Sequence, residues 1–104
     1  MIDGLAARLA ELATLGQTTT YGQLARDLGL TGPATIARLT RALEDLMDDD
    51  AAQGRPFRAA LVNARLHPIP APGFFHKAAA LGHDTGDPAA FAATQRARLF
   101  SRNP

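Results

Sequence analysis

The chain has 104 residues, 46% of them hydrophobic and 20% charged, with a net charge of +1 and no cysteine. Length and composition predict one soluble folded domain that needs no disulfide or metal to hold its core. They exclude thiol nucleophiles, thiolate metal sites and a disulfide framework, and no run of about 18 apolar residues argues for a membrane span.

The first fifteen residues include Asp3, Arg8 and Glu11 and lack a basic start, so no signal peptide is expected and the expected location is cytoplasmic. Charge is uneven along the chain: residues 1–50 hold four arginines against eight acids, whereas residues 51–104 hold seven bases against two. Such a distribution allows a basic face without requiring one.

Ile2, Leu5, Leu9 and Leu12 recur at the three- and four-residue spacing of an amphipathic helix, which Gly16 ends. Thr20 and Gln23 have the spacing of a capping box, so a second helix starts near Tyr21 and stops after Leu28 at Gly29. Thr31, Gly32 and Pro33 predict a turn into a third helix, with Pro33 at its first position and Ile36, Leu39, Leu43 and Leu46 as its core face. The acids Asp48, Asp49 and Asp50 oppose the negative end of a helix dipole, so this helix is expected to end near Met47.

A loop through Gly54 and Pro56 follows. Residues 57–63 predict a strand with Phe57, Ala59 and Leu61 on one face, and Pro68, Pro70, Pro72 and Gly73 an extended edge or wing. Residues 74–81 predict a short helix closed by Gly82. Asp87 and Pro88 then open a C-terminal helix that runs to about Ser101 and docks through Phe91 and Leu99. This order of elements is that of a mainly α fold with a small β element, a winged helix-turn-helix.

Thr19, Thr20, Tyr21, Gly22, Gln23, Leu24 and Ala25 resemble the Ser/Thr-Tyr-Gly-x-Leu-Ala segment in the DNA-binding domain of the O6-alkylguanine-DNA alkyltransferases and alkyltransferase-like proteins. Together with the glycine and proline that follow and the Ala42-Leu43 pair, the likeness covers about residues 10–47. It implies a winged-helix DNA-binding domain in which Tyr21 presses on a DNA phosphate. The family's base-displacing arginine falls on Ala37, with Arg38 one residue late, and its paired glycines fall on Thr40 and Arg41. Its Pro-Cys-His-Arg motif is missing, so alkyl transfer is excluded. Residues 60–75 also resemble a segment of uncharacterised bacterial winged-helix proteins.

At 100° per residue, Arg41 lies about 180° and Arg38 about 120° from the core face of the third helix, so both are expected to face solvent. The candidate contacts to duplex DNA are Tyr21, Gln23, Thr35, Arg38, Arg41, Arg58 and Arg65, through phosphates and base edges. Arg41 could instead pair with Asp45, and Tyr21 could pack beneath the third helix. The alternative function is a protein-interaction module that binds its partner through Phe74 and Phe75, two rings that would equally suit a core. His67, His76 and His83 are separated by eight and six intervening residues, which matches no ligand motif, and no metal or cofactor is expected. No nucleophile elbow or phosphate loop is present, so no enzymatic activity is expected.

Overall fold

The computed structural model describes residues 2–101. Five helices carry most of them: α1 (Leu5–Leu15), α2 (Tyr21–Asp27), α3 (Thr35–Ala52), α4 (Pro72–Ala80) and α5 (Pro88–Ser101). Two two-residue strands, β1 (Thr19–Thr20) and β2 (Val62–Asn63), pair in parallel with Thr19 opposite Val62 and Thr20 opposite Asn63. The fold is thus mainly helical with a small two-stranded sheet.

The early punctuation is local in origin. Gly16 adopts the left-handed conformation after α1, and the N–H groups of Gly16 and Gln17 reach back to Ala13 and Leu12. Half of the expected capping box forms: Thr20 Oγ1 accepts from the Gln23 N–H at 3.1 Å, while the Gln23 side chain turns to Asp27 and Arg26 instead. At Asp87 the cap also forms, its Oδ1 accepting from the Ala90 N–H at 3.2 Å.

Buried side chains from all five helices and from the segment between α3 and α4 form one apolar cluster. Leu9, Leu24, Leu39, Met47, Phe57, Leu61 and Val62 are among its most enclosed members. α5 is held to it by more than apolar contact, because the buried Gln95 accepts from the Phe57 N–H at 2.8 Å. Arg96 donates to Ala60 O at 2.8 Å and Pro68 O at 2.9 Å, and also bonds Asn63 Oδ1.

Four expectations need correction. Pro72 and Gly73, expected in an extended edge or wing, instead open α4, where proline is tolerated in the first turn. α3 does not stop near Met47 but continues to Ala52, because Asp50 is fully buried on its inner face and meets two arginines there. It begins at Thr35, with Ala34 left-handed at its N-cap, so Pro33 lies in the turn and Ile36, in the first turn ahead of the packed stripe, is 47% exposed. Residues 57–63 are chiefly a 3-10 turn (Arg58–Leu61), since Ala59, Ala60 and Leu61 are all buried in succession and leave no solvent face for a strand to alternate with. Beyond β2, residues 64–69 form a tight turn closed by Ala64 N–H to Ile69 O at 2.9 Å.

Candidate nucleic-acid interface

α2 and α3 pack against each other across a turn of residues 28–34, and this pair positions most of the candidate DNA contacts. Leu24 and Ala25 of α2 face Leu39, Leu43 and their neighbours in the core, so the opposite side of α3 is left to solvent. Arg38 and Arg41 occupy that side as the periodicity predicts, both exposed and one helical turn apart. Neither has an ion-pair partner among the described residues. The Arg41–Asp45 pair weighed from the sequence does not form. Arg41 instead shares a shallow groove with Glu44, Asp45 and Lys77.

The acids of the second half of α3 are partly engaged. Asp48 Oδ1 lies 2.8 Å from Lys77 Nζ of α4, and that contact holds the Lys77 ammonium pKa above its usual value. Asp50 accepts from the Arg58 N–H and Nε, each at 2.9 Å, and its Oδ1 lies 2.9 Å from Arg58 Nη2. Arg55 Nε sits 3.2 Å from the same carboxylate without hydrogen-bond alignment. A carboxylate near a helix C-terminus is disfavoured by the dipole. Here charge-assisted hydrogen bonds outweigh that penalty.

Arg58, a candidate DNA contact in the sequence, is turned inward onto Asp50. Tyr21 is half-buried against the core beside Leu43, Met47 and Phe74. Burial pushes its phenol pKa up, and a hydrogen bond with the Ala71 backbone offsets part of that rise. Its ring packs against the core. The Gln23 side chain bridges Arg26 and Asp27, and Thr35 Oγ1 donates to Gly32 O at 2.7 Å, so both polar groups serve local structure.

Arg65 is exposed on the turn of residues 64–69, with no acidic partner among the described residues. The parallel register places that turn: because Thr20 pairs with Asn63, Tyr21 and Ala64 leave the sheet side by side at the same end. The turn carrying Arg65 thus starts beside the first turn of α2.

Phe74 and Phe75 are buried, with ring centroids 5.1 Å apart, and Phe74 meets Phe57 at 6.1 Å. They do not offer the exposed pair that a protein partner was expected to meet. His83 meets Phe57 edge-on at 4.9 Å, while His67 and His76 line an apolar cleft of about 450 Å³ with Ile69, Pro70, Pro72 and Phe75. Among the described residues no three His, Asp or Glu side chains gather as a metal site, and no helix is long and apolar enough to cross a membrane.

Sequence reasoning missed the Asp50 junction and the Arg96 clamp. A signal for the first was available: between Asp50 and Asp84 the chain has no acid, so Arg55 and Arg58 had Asp50 as their nearest carboxylate in sequence. Arg96 bonds to two backbone carbonyls and an amide oxygen, groups that leave no charge pattern in a sequence. Comparisons with protein-family models, curated proteins and solved structures found no match.

Proposed function

We propose that this chain is a small cytoplasmic, non-enzymatic DNA-binding protein. In this reading α2 and α3 act as a helix-turn-helix, and residues 64–69 take the place of a wing. The observation that carries it is the division among the bases. Arg8, Arg55, Arg58 and Lys77 are each held by an acid, and Arg96 by carbonyl and amide oxygens. Of the five other described arginines, Arg26 bonds Gln23 and Arg98 lies away on α5, whereas Arg38 and Arg41 on the outer face of α3 and Arg65 on the turn beside α2 belong to the helix pair and its neighbouring turn. Unpaired arginines on a helix and a neighbouring turn are suited to phosphate contact, and to guanine edges if α3 enters a groove.

The likeness to the alkyltransferase DNA-binding domain supports the same reading for residues 10–47. With no cysteine to accept an alkyl group and Ala37 where the family has its arginine, binding without repair is the activity it supports. The acids Glu44, Asp45, Asp48 and Asp49 beyond Arg41 limit the basic surface, so affinity for non-specific duplex should be micromolar or weaker.

An anisotropy titration with duplex DNA across a range of salt tests this. Three phosphate contacts give a log–log slope of about −2.7, at about −0.9 per phosphate. The Arg38→Ala, Arg41→Ala double variant should flatten that slope by about two units if both side chains meet phosphates. Absence of binding at low salt, or an unchanged slope in the double variant, overturns the proposal.

A further inference from the structure

Leu66 is the most exposed large apolar side chain of the described residues, at 89%, and one of only two non-glycine residues among them with a left-handed backbone, at φ 61°. Both features are unfavourable in isolation: the side chain stays in water, and its Cβ crowds the backbone. The surrounding structure imposes them. Ala64 N–H bonds to Ile69 O, His67 N–H bonds to Ala64 O at 3.1 Å, and Arg96 holds Pro68 O at 2.9 Å from α5. The turn is thereby fixed at its base, with Leu66 at its tip between Arg65 and His67, and backbone strain of this kind clusters at functional sites.

The charge around the tip indicates what covers it. No acid occurs between Asp50 and Asp84, and of the four Arg and Lys residues in that stretch only Arg65 is without an acidic partner. A DNA minor groove accepts both side chains, because its negative potential takes arginine and an apolar side chain can wedge between flexible base steps.

We propose that Leu66 is a wedge that enters the minor groove of duplex DNA and unstacks a base step, with Arg65 beside it in the groove. This rests on the DNA-binding reading above and adds to it the deformation of the DNA.

The test uses the full chain and a duplex of about 20 base pairs with a central T·A step. The duplex carries a fluorescent adenine analogue at that step and a donor–acceptor pair on its ends. Binding of the wild type should raise the analogue's fluorescence and shorten the end-to-end distance. Leu66→Ala and Leu66→Gly should bind about tenfold more weakly, keep the salt slope and lose both signals. Leu66→Gly should also raise the melting temperature, since glycine accepts the left-handed backbone freely, so the loss cannot be ascribed to unfolding.

Binding by either variant with both signals intact overturns the wedge and leaves the DNA-binding reading standing. Failure of the wild type to bind at low salt overturns both. Self-association of the wild type that Leu66→Gly abolishes, with no change at the T·A step, assigns Leu66 to a contact between copies and overturns the wedge.

Discussion

Arg38 and Arg41, in the first half of α3, stand in solvent without an acid to hold them, whereas Asp50, in its last turn, is fully buried between Arg55 and Arg58. The same helix thus uses charge in two ways. In its second half an acid and two arginines tie α3 to the chain that follows it, and the price is desolvation of the carboxylate. In its first half the two arginines are exposed and make no ion pair among the described residues. A residue's type says little about its role until its nearest buried partner is known.

The strongest way to break this comparison is to remove the buried acid. Asp50→Ala leaves the Arg58 guanidinium and backbone N–H without their acceptor, and the expected loss is about 3 to 5 kcal/mol in urea unfolding. A loss below about 1 kcal/mol would mean that the junction is no more than a surface ion pair.

A smaller effect should appear at alkaline pH. Burial raises the Tyr21 pKa above its ordinary 10.0, so above that pH the unfolded chain gives up a phenolic proton that the folded chain retains. The extra stability is whole below pH 10.0 and is lost as pH rises through the folded value. Thermal melts of the wild type should therefore fall more steeply above that pH than those of Tyr21→Phe, and parallel curves would place the phenol in water.

The smallest effect belongs to the outer face. Arg38→Ala and Arg41→Ala should each leave stability within about 0.5 kcal/mol of the wild type. If either costs as much as Asp50→Ala, the two halves of α3 are not different in kind.

The sequence made the helices legible where the signal was local. The left-handed glycine after α1, the Thr20 and Asp87 caps and the outward direction of Arg38 and Arg41 all depend on residues within a turn or two of each other. It misled where a distant partner decides. Asp50 sits at a helix end that the dipole disfavours, and only Arg58, beyond the loop, makes the position favourable. Residues 59–61 do not alternate because the core covers them on every side. Leu66 could not be singled out, since in a sequence it is one leucine among prolines, and its meaning comes from the turn that displays it.

Folding order follows from the parallel register of β1 and β2. Thr19 and Thr20 meet partners about forty positions later, and the intervening chain includes all of α2 and α3, so the bridge encloses a large loop whose closure entropy must be met before any of its contacts form. The α2–α3 pair, built from short-range contacts, should assemble first and the bridge afterwards. In mild denaturant the reverse should hold, with the amides paired in β1 and β2 exchanging with solvent sooner than that of Leu39 in the middle of α3. At that stage the turn of residues 64–69 would lose its fixed direction while the helix pair beside it stayed folded.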